Sequence, residues 1–280
     1  MAVRRPAVAG SFYPSDPQEL SELIDSCYLG SLGPGRLPPA SRGEPRTVAC
    51  VVPHAGYVYS GGVASHSYLH VSSLPDPELV VVIGPNHYGV GSGASIWPGG
   101  DWSTPLGKVH VDDGAARDLS EEAGIIDLDT ESHRMEHSVE VQVPFIQKLY
   151  GDRVPFVPIS LAFQDIDTTR QVARGVVKVL KGRRGVLIAS SDFSHYVPAS
   201  EAARKDLRLV EDILSLDTES FYGTLDRLQV TACGFGAIAT VMQASKGLGF
   251  KKAVLLKYAT SGDTTGDNSQ VVGYGALRFE

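Results

Sequence analysis

The chain has 280 residues, of which 42% are hydrophobic and 20% are charged, so a disordered chain is excluded and a sizeable core is expected. Lys and Arg total 25 against 32 Asp and Glu, and the net charge of −7 argues against nucleic-acid binding. Three widely separated cysteines, Cys27, Cys50 and Cys233, encode neither a disulfide framework nor a zinc knuckle. The longest strongly apolar runs are about five residues, so we expect no membrane span, no signal peptide and a cytoplasmic location.

The first predicted element is a helix that begins near Pro17. Apolar residues recur there with helical spacing up to Tyr28, and Ser15 is the predicted N-cap. The segment 30–46 that follows is rich in Gly, Pro and Arg, and we interpret it as a surface loop.

Short apolar runs then alternate with helical patterns. The predicted buried strands are 48–52, 79–83, 154–159 and 186–189, and the predicted helices are 61–71, 137–150, 167–181, 202–215 and 218–229. Segments 94–97 and 108–111 look like an inserted hairpin, and the last two strands, 253–258 and 271–279, flank a polar loop. This alternation predicts one α/β domain over residues 1–280, with a largely parallel sheet between two helix layers.

Polar segments follow three of these strands directly. His54 follows the first run, His87 the second, and Asp192 and His195 the fourth. Ligands of open α/β sheets bind beyond the carboxyl ends of the strands, and the 33-residue spacing of His54 and His87 suits one βαβ unit. We therefore expect both imidazoles at the same edge of the sheet. Tyr57 and Asn86, in the same two loops, are candidates to contact a substrate or support the site.

Cys233 precedes a helical pattern that begins near Ala237. A helix N-terminus lowers the pKa of a cysteine thiol and favours the metal-binding thiolate. Spacing alone leaves this interpretation and a buried structural cysteine equally open.

Two further patterns suggest acid–base chemistry. Asp192 lies three residues before His195, and a carboxylate beside an imidazole fixes its tautomer and makes it a better general base. His133, Glu136 and His137 match the H-x-x-E-H pattern of inverted zinc peptidases, although the helix is better supported after His137 than before it. His137 and Glu140 are also candidates to contact a substrate or support the site.

Several motifs together resemble the Memo family. They are AGSFYP (9–14), PHAGYVYSG (53–61), GPNHYG (84–89), STPLG (103–107), EHSVEVQVPF (136–145), SSDFSHY (190–196) and the ACG around Cys233. They occur in the expected order across nearly the whole chain. The resemblance implies an α/β/α fold similar to that of the class III extradiol ring-cleaving dioxygenases.

The resemblance also implies a metal site. The dioxygenases hold iron(II) with two histidines and a glutamate, whereas the Memo family has cysteine in place of the glutamate. His54, His87 and Cys233 match its ligands, Asp192 and His195 match pocket residues, and His137 and Glu140 match its helix, whereas His133 lies outside the pattern. The softer thiolate favours copper(I), zinc or a differently tuned iron. The expected cofactor is one iron(II) or copper ion, with zinc as a further option.

The resemblance leaves the function open between two classes. One is a metal-dependent, dioxygenase-like redox enzyme in which His195 acts as acid or base, Asp192 orients it, and an unidentified small molecule binds in the cleft. The other is an adaptor that binds a peptide or protein in the same cleft, since family members are linked to phosphotyrosine-peptide binding. Prokaryotic members also resemble components of a system with radical-SAM companion proteins. The zinc peptidase with His133, Glu136 and His137 is the third, less favoured option.

Overall fold

The computed structural model describes residues 3–39 and 47–280. The helices are α1 (Pro17–Leu29), α2 (Tyr57–Val71), α3 (Asp113–Ala123), α4 (Glu131–Arg134), α5 (Val143–Tyr150), α6 (Ile166–Leu180), α7 (Ala199–Leu214), α8 (Thr218–Leu228), α9 (Phe235–Leu248) and α10 (Gly262–Thr265), with a 3₁₀ helix at Glu140–Gln142. The strands are β1 (Val3–Arg4), β2 (Thr47–Val52), β3 (Leu79–Pro85), β4 (Ala94–Ile96), β5 (Gly100–Thr104), β6 (Gly107–Val111), β7 (Asp127–Leu128), β8 (Phe156–Leu161), β9 (Gly185–Ser190), β10 (His195–Val197), β11 (Ala253–Thr260) and β12 (Val271–Phe279).

The strands join into one sheet in the order β1-β5-β6-β8-β3-β9-β2-β12-β10, with β11 paired to β12 and β4 paired to β7 and β8. At its centre, β8, β3, β9 and β2 are parallel, and antiparallel pairs lie towards the margins. Ala189 of β9 pairs with both Val51 of β2 and Ile83 of β3. This register ends β2 and β3 at the same level, so the segments that follow them leave the sheet side by side.

Alternate residues of each central strand face opposite helix layers. On one face, Val81 and Leu187 pack in a cluster with residues of α3, α6, α7, α8 and α9. On the other, Val80 and Ile188 pack with α1, α2 and α5. Burial of both strand faces explains the continuous apolar runs and confirms the predicted three-layer α/β/α arrangement. Within the described residues, no helix combines the length and apolar character needed to cross a bilayer.

The beginnings of two helices differ from the predictions. Asp16, not Ser15, caps α1, because its carboxylate accepts from the backbone N–H groups of Gln18 and Glu19. The predicted helix 137–150 becomes helical only at the 3₁₀ turn Glu140–Gln142, since the backbone N–H groups just before it bind the Glu136 carboxylate. Pro144 then lies in the first turn of α5, where its missing N–H costs nothing.

The predicted hairpin is wrong in its first strand. β6 pairs antiparallel with β5, a polar strand that contains Trp102, whereas β4 pairs with β8 and β7. The polar sequence of β5 gave no strand signal, so β5 was not predicted. The residues of β4 are buried because this strand pairs with β8. Residues 30–39 of the predicted loop contain no helix or strand, whereas residues 40–46 lie outside the described part of the chain.

Candidate metal centre

A cleft of about 510 Å³ opens beyond the carboxyl ends of β2, β3 and β9. Its lining residues are Phe12, His54, Ala55, Gly56, His87, His137, Asp192, His195, Tyr196, Thr231, Cys233 and Val272. Seven segments remote in sequence therefore contribute to one concave site, at the edge of the sheet that the sequence predicts.

His54 follows β2 and is buried. Its Nδ1 lies 2.9 Å from the Ser190 hydroxyl, whose own proton is donated to the Ser138 carbonyl at 2.6 Å. Ser190 must therefore accept from Nδ1–H, which leaves a lone pair on Nε2. Burial, with His137 nearby, holds the pKa of His54 well below its usual range and keeps the ring neutral.

His87 follows β3, and a carboxylate fixes its orientation. Glu136 Oε1 lies 2.9 Å from His87 Nδ1, and Glu136 Oε2 accepts from the His87 backbone N–H at 2.6 Å. Glu136 also accepts from the backbone N–H groups of His137 and Ser138. Burial acts to raise the pKa of Glu136, but the hydrogen bond from His87 and the charges of neighbouring imidazoles outweigh it and hold the pKa at about 2. The carboxylate therefore retains the proton on Nδ1 and leaves Nε2 of His87 as the nitrogen that could bind a metal ion.

Cys233 lies two residues before α9, as predicted. Its Sγ is 3.2 Å from His54 Nε2 and accepts from the Asp192 backbone N–H at 3.3 Å. Gly234 permits this close approach, because a Cβ there would lie 2.5 Å from the Ser190 carbonyl oxygen. The predicted lowering of the thiol pKa is wrong in the absence of a cation: burial and the Asp192 carboxylate raise the pKa of Cys233. Desolvation outweighs the helix dipole here.

The three donors have the spacing of a single metal site. One ligand atom each from His54, His87 and Cys233 lies within 4.8 Å of the others. Two atoms that share a tetrahedral ion are roughly 3.3–3.6 Å apart by ordinary Zn–N and Zn–S bond lengths, close to the observed Sγ–Nε2 distance. Two imidazoles and one thiol are also a donor set for zinc, copper or iron. The residues therefore fit a metal ion of this class.

His195 and Asp192 both line the cleft, but they are not hydrogen-bonded as a pair in the described structure. The His195 backbone N–H and Nδ1–H donate to the Thr231 hydroxyl and carbonyl at 2.8 and 2.9 Å. Asp192 instead accepts from the His54 backbone N–H at 2.8 Å, and burial raises the pKa of Asp192 to about 6. The prediction that Asp192 orients His195 is therefore corrected: Thr231 fixes the ring and leaves Nε2 free to accept a proton.

The four predicted supporting residues have different positions. His137 lines the cleft, with its ring stacked 4.6 Å from His87. Glu140 lies away from the cleft, paired with Arg4 at 2.6 Å. Tyr57 is buried in the core and donates to the Val141 carbonyl, and Asn86 binds backbone groups within its own loop. Direct substrate contact thus fits His137, whereas the other three stabilise the surroundings.

The structure separates the peptidase residues. His133 is fully buried in α4, with its ring 5.7 Å from the Trp102 ring and its Nε2 3.3 Å from the Ser95 hydroxyl. His137 lies beyond the end of α4, in the cleft. The two imidazoles therefore pack in different surroundings, and the H-x-x-E-H match does not form a zinc site in this fold.

Sequence reasoning missed three contributors to the cleft. The sequence suggested a role for Glu136 only as the base of a zinc peptidase, whereas in the structure it binds His87 in the loop after β3. Thr231 carried no signal beyond its position near Cys233. Phe12, whose ring lies 4.7 Å from His137, stands in the AGSFYP motif but had no assigned role.

Comparisons with known proteins agree with this architecture. The Memo-like protein family model matches residues 4–278. A MEMO1 family protein of Methanopyrus kandleri is 45% identical over 99% of this chain and 98% of its own length, and one of Nitrosopumilus maritimus is 44% identical over 99% of both chains. An uncharacterized protein of Escherichia coli K12 is similar in fold alone, with a TM-score of 0.53 at 16% identity, over 84% of this chain and 100% of its own. The chain belongs to the Memo family.

Proposed function

We propose that the protein is a metal-dependent oxidoreductase, similar in chemistry to the extradiol dioxygenases, that acts on a small substrate. His54, His87 and Cys233 would hold one iron(II) or copper ion. The observation that carries the proposal is the meeting of two imidazole nitrogens and one sulfur in an open cleft. When bound, such an ion supplies Lewis acidity and a redox centre.

The protein's own groups support acid–base work beside that ion. His195 Nε2 faces no protein hydrogen-bond partner in the described structure, so it can take a proton from a substrate hydroxyl. Thr231 fixes the ring during this transfer through two hydrogen bonds. Asp192, whose pKa is raised by burial to about 6, is suited to store a proton near neutral pH.

The lining also favours one class of substrate. It combines the rings of Phe12, His137 and Tyr196 with the Val272 side chain, and it contains no Lys or Arg among the described residues. A phosphorylated or multiply anionic substrate would find no cation there except a bound metal. We therefore propose a small, flat molecule with a weakly acidic hydroxyl.

A binding function is the alternative, and one observation favours it. Large apolar side chains are exposed in the loops and helix ends that follow β2, β3 and β9, including Tyr59, Tyr88 and Tyr196, the last 72% exposed. Exposed aromatic residues around a cleft are typical of protein-binding surfaces. An adaptor that captures a peptide, or a radical-SAM companion protein that covers the cleft, would use these side chains.

Metal content tests the proposal first. Protein purified anaerobically without a histidine tag should contain about one iron or copper ion per chain, and Cys233→Ser and His54→Ala should lose it. His110→Asn, at an exposed histidine outside the cleft, is the matched control and should retain it. Elemental analysis and electron paramagnetic resonance identify the ion. Full metal content in Cys233→Ser would contradict the proposed site.

Oxygen consumption separates the enzyme from the adaptor. The metal-loaded protein should consume dioxygen with a member of a catechol and phenol panel, and His195→Asn should reduce the rate about 10²-fold or more while it retains the metal. If the loaded protein is inert across the panel, and metal-free protein binds peptides with undiminished affinity, the adaptor function replaces this proposal.

A further inference from the structure

A second cavity, of about 590 Å³, lies on the outer surface of α6 between α3 and α9. Its lining residues are Glu122, Arg170, Ala173, Arg174, Val177, Lys178, Lys181, Gln243 and Gly247. None of them lines the histidine cleft, so this basic groove is a separate feature of the molecule.

Four cations stand in a row along the groove. Arg170, Arg174 and Lys178 are spaced four residues apart on α6, and Lys181 follows its last residue. The row is about 16 Å long, with steps of about 6 Å. With Glu122 as the acidic member, the groove carries four positive charges and one negative charge in a chain of net charge −7.

Three of these four cations lack the ion pairs that Lys205 and Arg208 form on α7. On α7, Lys205 pairs with Glu201, and Arg208 pairs with Asp212, each four residues apart. In the part of the chain that the structure describes, Arg174, Lys178 and Lys181 form no ion pair, whereas Arg170 binds Asp167 and Glu219. Like charges four residues apart repel one another on a helix. The repulsion among Arg174, Lys178 and Lys181 is therefore offset by no ion pair of these three side chains within the described chain.

The floor between the cations is apolar. Val177 of α6 is partly exposed there, Ala173 one turn before it is 5% exposed, and Gly247 of α9 faces Val177. A Cβ at Gly247 would lie 2.7 Å from a Val177 methyl carbon, so the glycine allows α9 to approach α6 closely here and keeps that space free of a side chain. An occupant thus meets an apolar strip beside a row of positive charges.

We propose that the basic groove binds an acidic amphipathic helix of a partner protein. Acidic residues at i, i+4 and i+8 of such a helix repeat every 6 Å or so and match the spacing of Arg170, Arg174 and Lys178. Its adjacent apolar stripe would cover the partly exposed Val177 and the edge of Ala173, as in other helix-in-groove complexes. A helix of about 11 residues spans the whole row.

The lining disfavours two other anions. Single-stranded nucleic acid binds through bases stacked on aromatic side chains, and the described lining of this groove has none. A small phosphate compound would reach one or two of the four cations and leave the others without a partner. An elongated anion with apolar side chains uses the whole groove.

A synthetic helix of about 14 residues tests the proposal. It carries Glu at i, i+4 and i+8 beside a Leu stripe, and fluorescence anisotropy measures its binding to the full chain at low and moderate salt. We expect saturable binding that weakens with salt, and a dissociation constant raised about tenfold or more by Arg174→Glu with Lys178→Glu. The double variant Arg36→Glu with Lys251→Glu has the same net charge, alters exposed cations outside the groove and should bind as the wild type does.

Two matched probes distinguish specific binding of an amphipathic helix in the groove from non-specific attraction between opposite charges. A peptide with the same Glu residues and Ser in place of Leu should bind much more weakly, and equal binding of the two peptides would overturn the proposal. Tighter binding of an oligothymidylate than of the peptide, at the same salt concentration, would also overturn it. So would a dimer, seen by analytical ultracentrifugation of the chain alone, that Arg174→Glu with Lys178→Glu abolishes, because a second copy would then be the occupant.

Discussion

His54 and His87 present the same nitrogen to the cleft, but different partners fix their tautomers. A neutral hydroxyl holds His54, and it can only accept because its proton is committed to Ser138. The buried carboxylate of Glu136 binds His87 and also accepts hydrogen bonds from the backbone N–H groups of His137 and Ser138. Glu136 therefore fixes the ring and the backbone around it at once, which makes it the more sensitive of the two supports.

Substitution of Glu136 tests this support. Glu136→Gln places an amide NH₂ among groups that all donate, so His87 loses its fixed orientation. We expect metal affinity to fall about 10- to 100-fold, measured by competition with a chromophoric chelator. Glu131→Gln, at an exposed glutamate of α4, should leave affinity unchanged. Equal affinity in both variants would show that Glu136 does not support the site.

His133 illustrates how burial changes a histidine's contribution to stability. Burial, with Arg4 nearby, lowers the pKa of His133 from 6.5 to about 3. The unfolded chain takes up this proton below pH 6.5 and the folded chain does not, so the free energy of unfolding falls as the pH drops from 6.5 towards 3. His133 therefore makes the folded protein less stable in acid.

The corresponding experiment compares wild type with His133→Gln in urea at about pH 7.5 and about pH 5. A proton costs about 1.4 kcal/mol per pH unit, so wild type should lose about 2 kcal/mol more than the variant between these conditions. Other histidines contribute equally to both proteins. Equal losses would show that His133 titrates normally in the fold.

The positions of site residues could be predicted from the sequence where they depend only on the pattern of buried strands. His54 and His87 follow buried strands, and the parallel sheet brings them together. The carboxylate of Glu136 and the carbonyl of Thr231 reach their partners across 49 and 36 residues, through segments with no periodicity. Such hydrogen bonds depend on how loops pack, which no local pattern encodes.

At the scale of elements, the cleft depends on how closely the loop before the 3₁₀ helix approaches β3. Gly84, near the end of β3, makes this contact: a Cβ there would lie 2.8 Å from the Ser138 Cβ. Ser138 in turn donates to the Pro85 carbonyl at 2.8 Å. The close approach brings Glu136 and His137 alongside His87.

Gly84→Ala should push this loop away from β3. We expect a loss of about 1–3 kcal/mol in the free energy of unfolding, measured by urea titration, and weaker metal binding because His87 is displaced from Glu136. Gly223→Ala, in the middle of α8 where a Cβ meets no atom within 4 Å, should instead gain about 0.5–1 kcal/mol. A neutral Gly84→Ala would contradict the close packing described here.

Strands were predicted well where helices bury both of their faces, and poorly where exposed or partly exposed residues interrupt the apolar sequence. The central strands β2, β3, β8 and β9 have continuous apolar sequences because helices cover both faces. β5 was missed because its sequence, GDWST, has one large apolar residue and takes its partners from β1 and β6. Its strand conformation follows from those neighbours.

For the molecule as a whole, the order of the strands converts distant motifs into one site. β9 lies between β2 and β3, so the loop that contains Asp192 and His195 emerges between those of His54 and His87. Alternating strands and helices predicted the layers and the parallel centre, but the antiparallel pairing of β12 with β2 had no sequence signal. Family membership agrees with this arrangement over residues 4–278.

X-ray absorption at the metal K-edge tests the central claim most directly. For protein loaded with one equivalent of the ion found after anaerobic purification, we expect one sulfur scatterer at about 2.3 Å and two imidazole nitrogens at about 2.0 Å. Cys233→Ser, which we expect to lose the ion on purification, should show no sulfur scatterer when excess ion is added back. A spectrum of wild-type protein with only nitrogen and oxygen ligands, or a sulfur signal that persists in Cys233→Ser, would contradict a metal centre formed by His54, His87 and Cys233.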